Sequence, residues 1–203
     1  MKNLSEQLIA AFDADCRKEL SRSLSKAYLL SFVGAKEFGS FWRQAQSYLK
    51  WLYSDMLIEK SAKNLKIQCD VSLNAAKNSR HPTLHSNNWA LTVHSIDSKG
   101  GLPREAKYRS IYSSLNRDLF EDIDDNVEQI NKTGGHVYLL HSGKNQAVST
   151  LSLTVPTPGG SGIIYAESVA IYAPSEVEIE KVDDELDDKF KLLTETLLKQ
   201  NEK

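Results

Sequence analysis

No stretch of this chain is apolar over the roughly 20 residues that a bilayer-spanning helix needs, and its mean hydropathy is −0.42. The N-terminal MKNLSEQLIAAFDAD has neither the sustained apolar core nor the cleavage site of a secretory signal, so a cytoplasmic protein with no membrane partner is expected. Cysteine is scarce. Cys16 and Cys69 stand far apart in no metal or redox spacing, which removes zinc-finger and dithiol classes and predicts free thiols. Repeats and low-complexity tracts are missing, so a solenoid is excluded. Catalytic signatures are missing as well. There is no nucleophile elbow and no Ser-His-Asp order. Residues 158–162 are glycine-rich but lack the Lys-Ser/Thr ending of a phosphate-binding loop. No acid at a strand end is followed by the acid and lysine of a metal nuclease, and no cofactor is signalled.

What remains is an ordinary globular composition, 203 residues with 40% hydrophobic and 26% charged. The net charge of −2 hides a segregation. Through Arg109 the chain carries 17 Lys and Arg against 10 Asp and Glu, and from Ser110 onward 8 against 17. The acids concentrate in residues 118–128 and 176–188. Such asymmetry suits partners or ligands of opposite sign, or two faces that meet and cancel.

Residues 40–60 predict the helix around which the rest packs. Phe41, Ala45, Tyr48, Leu49, Leu52 and Met56 form one apolar stripe, and Trp42, Trp51, Tyr53, Leu57 and Ile58 add apolar mass outside it. Before it, Asn3 and Glu6 form a capping-box variant. A stripe through Leu4, Leu8, Phe12, Cys16, Leu20, Leu24 and Tyr28 then runs to a stop at Gly34. At Leu65 the period changes to two, and Leu65, Ile67, Cys69, Val71 and Leu73 predict a half-buried strand. Residues 74–88 are polar, hold His81-Pro82 and read as a loop. Trp89, Leu91 and Val93 share a face of a second strand, with Thr92 and His94 on the other. If these two strands pair, Asp70 joins His94 on one sheet face.

A helix over about 104–132 follows, with Ile111, Leu115 and Leu119 on its apolar side. Strands at 136–141, 149–156 and 163–172 come next, with a hairpin turn at Ser142-Gly143-Lys144-Asn145 and a loop at 156–162. The second to third strand connection fits a crossover. In residues 182–200, Val182, Leu186, Phe190, Leu193 and Leu197 make a heptad-like seam suited to a homodimer or to packing on the domain itself. The expected class is α+β, with a largely antiparallel five-stranded sheet covered by helices. A helical extension over 1–37 precedes a domain over 38–203.

His81 and His85 have the spacing of a helical metal pair, but Pro82 opposes a helix there and no third ligand has an evident place. His81-Pro82-Thr83 echoes the H-x-T element of two-histidine phosphoesterases, and a facing second copy is missing. Nucleic acid is a weaker alternative. Lys63, Lys66, Lys77, Arg80, Lys99, Arg104, Lys107 and Arg109 offer phosphate contacts, and Trp89 and Tyr108 offer stacking. The slightly acidic chain carries no recognition motif.

The run Ser149-Thr150-Leu151-Ser152-Leu153-Thr154-Val155-Pro156 resembles the Val-Pro strand of GAF domains. A glycine turn, a second apolar strand and a terminal amphipathic helix follow in that family's order. The 40–60 helix running into residues 65–73 resembles its first helix and strand, so the likeness covers about 38–200. It implies a small ligand, such as a cyclic nucleotide or tetrapyrrole, against one sheet face, and dimerisation through terminal helices. The cyclic-nucleotide signature, a bilin cysteine and the cysteines of the methionine sulfoxide reductase branch have no counterparts here.

The resulting expectation is a non-enzymatic sensory or regulatory domain for a small, anionic ligand or a protein partner. Thr92 and His94 would hydrogen-bond the ligand, Arg104 and Arg109 would neutralise it, and Tyr108 would stack. Glu167, an acid on an otherwise apolar strand face, needs a partner or a raised pKa. The alternatives are a phosphoesterase or nuclease using residues 80–109, and a pure protein-interaction module.

Overall fold

A computed structural model describes residues 4–73, 80–96, 101–104, 107–119 and 134–174, with the backbone alone at 107, 108 and 117–119. Its helices are α1 (Leu4–Ala11), α2 (Ala14–Ala35), α3 (Trp42–Leu65) and α4 (Lys107–Ser113). Its strands are β1 (Gln68–Leu73), β2 (Arg80–Ser86), β3 (Trp89–Ser95), β4 (Gly135–Lys144), β5 (Ala147–Pro156) and β6 (Ile163–Ser168). The class is α+β. The sheet, however, has six strands in the order β1-β2-β3-β4-β5-β6 and is mixed, since β3 and β4 run parallel while the other neighbours are antiparallel. A parallel pair cannot be joined by a hairpin, so the chain crosses over between β3 and β4.

The additional strand is β2, which occupies part of the expected loop. Asn87 and Asn88 both take positive φ, 46° and 65°, and close a two-residue hairpin between Ser86 and Trp89. That is the primed turn whose twist matches paired strands. Pro82 is tolerated because the ladder to β3 begins only at Thr83. β1 therefore pairs with β2, and Asp70 stands opposite Thr83 rather than beside β3. Its Oδ2 lies 3.1 Å from His85 Nε2. β1 is also less buried than its alternation predicts. Leu65 closes α3 and packs against the core with Ile67 and Cys69, while Val71 and Leu73 are exposed.

One sheet face is apolar. Leu84, Trp89, Leu91, Val137, Leu139, Leu151, Leu153 and Val155 join Leu8, Cys16, Leu20 and Leu24 of the first two helices and Phe12 between them in one core. Large side chains of this kind contribute about 1.5–3 kcal/mol each on burial. Asp13 caps α2 by accepting from the Cys16 amide at 2.8 Å. α2 passes through Gly34, which lies against Leu49 and Tyr53 of α3, and the chain bends instead at Gly39, where φ is 54°. Small side chains let the two helices approach, and the Ser23 and Ser61 hydroxyls bond across them.

α3 is turned away from the expected orientation. Its packed side is Gln46, Ser54, Leu57, Ile58, Ser61 and Ala62. The predicted stripe faces outward, with Phe41 at 67%, Tyr48 at 61%, Leu52 at 40% and Met56 at 43% exposure. α2, with Leu20, Leu24, Ala27 and Tyr28 fully buried, is the helix the core is built on. The 104–132 helix is shorter in its described part, α4 followed by a 3-10 turn at Ser114–Leu119, and Ile111 and Leu115 are exposed. The 182–200 seam, the acidic run 176–188 and Asn3 lie outside the described residues. Among those described, no helix is long and apolar enough to cross a membrane.

The β4–β5 turn falls at Asn145-Gln146, two residues later than expected, and a register shift marks Ser142/Gly143. A Cβ at Gly143 would meet Ala147 O at 2.1 Å and Tyr28 Cε1 at 2.6 Å. Gly143→Ala should therefore destabilise the fold by about 1–3 kcal/mol, as overpacking does. Urea denaturation measures this, and an unchanged midpoint would mean that the bulge relaxes freely.

Candidate functional site

The second sheet face is polar. Asp70, Thr83, Thr92, Tyr138 and Thr154 form one row across five strands. α4 and the following turn cover part of it with polar side chains, because the surface beneath offers hydrogen bonds rather than apolar contacts. Arg109 Nη1 donates to His94 Nδ1 at 3.5 Å. An arginine only donates, so His94 carries its proton on Nε2 and gives it to Thr92 Oγ1 at 2.8 Å. Thr92 in turn donates to His136 Nε2 at 2.9 Å. Tyr138 packs edge-on against both imidazoles, at 5.0 and 4.9 Å. Its hydroxyl donates to Ser113 Oγ at 3.0 Å, and Ser113 donates to Arg109 O at 2.7 Å.

Thr92, His94 and Arg109 are thus brought together, as the sequence suggests. They form a closed network rather than an open site: Thr92 and His94 are buried. Arg104 is exposed, and the Tyr108 side chain lies outside what is described. Glu167 stands on the opposite, apolar face. There it meets Arg17 Nη2 of α2 at 2.7 Å and accepts from the Tyr165 hydroxyl at 3.0 Å. Its partner is therefore a structural ion pair.

Sequence reasoning missed Asn116, which fastens the 3-10 turn to the sheet. Its Nδ2 donates to His136 O at 3.0 Å and Pro156 O at 2.7 Å, and its Oδ1 accepts from the His136 amide at 2.6 Å. A single asparagine in a polar segment carries no periodic signal. The His81/His85 pair also dissolves as a metal site. Both sit on β2, where four residues span about 13 Å, and His81 Nδ1 pairs with Asp55 Oδ2 at 3.1 Å. Among the described residues no group of three or more His, Cys, Asp or Glu could hold a metal.

A cavity of about 350 Å³ opens on the helical side, at the carboxyl ends of the parallel strands β3 and β4. Crevices at that end of parallel strands are habitual ligand sites in open α/β sheets. α3 lines it with Ser47, Lys50, Trp51, Ser54 and Asp55, and the strands contribute Ser95, His141 and Lys144. Behind it, the buried Tyr28 hydroxyl bonds His141 Nδ1 at 3.0 Å and Ser95. The Lys50 ammonium stands 4.5 Å from the centre of the Tyr28 ring, and burial lowers its pKa. Burial raises the Asp55 pKa against the pull of His81 and Trp51. Ser54 Oγ is buried and has no hydrogen-bond partner among the described residues. No family model, curated protein or solved structure matches this chain.

Burial holds His136 and His141 down to about 3, whereas an unfolded histidine titrates near 6.5. The unfolded chain binds more protons between those values, so stability falls as pH drops from 6.5 towards 3. At 1.36 kcal/mol per unit, the loss by pH 5 is about 2 kcal/mol for each histidine. Urea unfolding at pH 7.5 and pH 5 should show this, and His136→Gln should remove about a third of the difference, because burial holds His94 down in the same way. Equal stability at both pH values in the wild type would show that these imidazoles can charge inside the fold.

Proposed function

We propose that the chain is a non-enzymatic sensory or regulatory domain that binds a small ligand with an anionic group in the cavity between α3 and the ends of β3 and β4. The observation that carries this reading is Ser54 Oγ. A buried hydroxyl with no partner costs about 1–3 kcal/mol, and this one lines a cavity beside an ammonium. A ligand oxygen would satisfy Ser54 and accept from Lys50, with Lys144 at the rim as a second cation. Trp51 offers a flat apolar wall, and Asp55 offers an acceptor for a donor at the ligand's other end. The resemblance of the sequence over about 38–200 to GAF domains points to the same class of function. The Thr92-His94-Arg109 network then serves to fix α4 on the sheet rather than to contact the ligand.

Native mass spectrometry of protein purified gently from cells should show extra small-molecule mass. Lys50→Met and Ser54→Ala should each weaken binding of the recovered compound at least tenfold, since a hydrogen bond to a charged group is worth about 1.5–3 kcal/mol. Circular dichroism would confirm that both variants fold. The reading fails if both bind like wild type. It fails equally if the purified protein is bare and no small phosphate or carboxylate raises its melting temperature.

A further inference from the structure

The outward face of α3 mirrors itself. At about 100° per residue, Phe41, Ala45, Tyr48, Leu49, Leu52 and Met56 fall within about 50° of one line along the helix. That line runs opposite the packed side of Gln46, Ser54, Leu57, Ile58 and Ser61. The six positions reflect onto one another about the point between Tyr48 and Leu49. Phe41 mirrors Met56, Ala45 mirrors Leu52, and Tyr48 mirrors Leu49. Two copies of α3 laid antiparallel about a two-fold axis through that point meet apolar against apolar at every level. Leu52 of each copy then sits over the small Ala45 of the other. Phe41, Tyr48, Leu52 and Met56 are exposed. The Tyr48 ring is already held edge-on to Trp51 at 5.5 Å, so the centre of the face is preorganised.

Charge and area agree with this pairing. No charged side chain stands among the six positions. Beyond Met56, Glu59 and Lys63 follow on the same side and bond each other at 2.6 Å, while Lys50 lines the cavity on the other side. An antiparallel contact thus buries no unpaired charge, which would cost several kcal/mol. A parallel contact would set Glu59 beside Glu59 and Lys63 beside Lys63, and would bring like ends of two helix dipoles together. At about 150–250 Å² for a large aromatic side chain, the exposed parts of the six residues come to about 450 Å² per copy. A pair would bury about 900 Å², the size of a weak, reversible interface.

We infer that the protein forms a reversible homodimer in which the α3 helices of two copies pack antiparallel through this face, about a two-fold axis between Tyr48 and Leu49. The cavity lies on the other side of α3 and stays open in such a dimer, so either proposal can fail alone.

Sedimentation velocity of the full chain, from low to high micromolar concentration, tests it. The mass should rise from that of one 22.8 kDa chain towards twice that value. Leu52→Asp should raise the dissociation constant by roughly tenfold or more, with an unchanged circular dichroism spectrum. In a Cys69→Ser background, Tyr48→Cys should give disulfide-linked dimers on mild oxidation, because its two copies meet at the axis. Phe41→Cys should cross-link at least fivefold less, because its copies stand about 22 Å apart along the helices. A chain that stays monomeric throughout would overturn the inference and leave the face to another occupant. A dimer that Leu52→Asp does not weaken would overturn it too, as would equal cross-linking, or none, at the two cysteine positions.

Discussion

The fold depends on keeping one sheet face apolar and the other polar, with a different kind of cover for each. On the first face the central side chains of β2 to β5 are mainly aliphatic and aromatic, and α1, α2 and the link between them answer with Leu8, Phe12, Leu20 and Leu24. On the second face the Asp70–Thr154 row and its neighbours His94 and His136 offer donors and acceptors. The cover there presents Arg109, Ser113 and Asn116. Area burial drives the first pairing, at about 25 cal/mol per Å². Satisfaction of polar groups drives the second, where an unmet hydrogen bond costs more than a met one contributes. α4 and the 3-10 turn after it accordingly put polar side chains inward and leave Ile111 and Leu115 outside.

That division fixes the protonation of the buried imidazoles. His94, His136 and His141 are almost fully enclosed, and desolvation is the largest influence on each. Arg109 adds repulsion at His94, and Lys50 adds it at His141. Burial and neighbouring charge act in the same direction, so all three are neutral. A neutral imidazole has one donor and one acceptor, which is what lets Arg109, His94, Thr92 and His136 form a directional chain. Protonation of His94 would set two donors facing the guanidinium and Thr92. The same logic makes Tyr28 the complement of His141 across the helical face. Burial keeps its phenol protonated, and the hydroxyl serves His141 while the ring faces Lys50.

Periodicity in the sequence located the elements but not their orientation. The stripe on residues 41–56 is real, yet it points outward, because Leu57, Ile58 and Ala62 meet α2 and the strands better. Helix α3 has apolar residues on both sides, and only the shape of its neighbours decides between them. β2 was hidden by His81-Pro82, although Asn87-Asn88 carries a hairpin signal. The polar cluster around Thr92 and His94 was legible from strand alternation alone. That it is closed by Asn116 and Ser113 was not, since single hydrogen-bonding residues leave no pattern. The cavity residues were still less visible. Lys50, Ser54 and Asp55 share a helix side that reads as ordinary surface until the strand ends are placed against it.

Two polar pins hold α3 over those strand ends. Gln46 Nε2 donates to Asn145 O at 2.7 Å, and Asp55 meets His81 at 3.1 Å. Nine residues separate the two, about 13 Å along a helix. Between them Ser47, Lys50, Trp51 and Ser54 line the space and leave it open against Ser95 and His141. Closing the gap would press the Lys50 ammonium into protein with only the Tyr28 ring to receive it. A cation–π contact supplies about 0.5–2 kcal/mol, less than the several kcal/mol that desolvating an ion costs. The helix therefore rests on its pins, and the space beneath it suits a polar occupant.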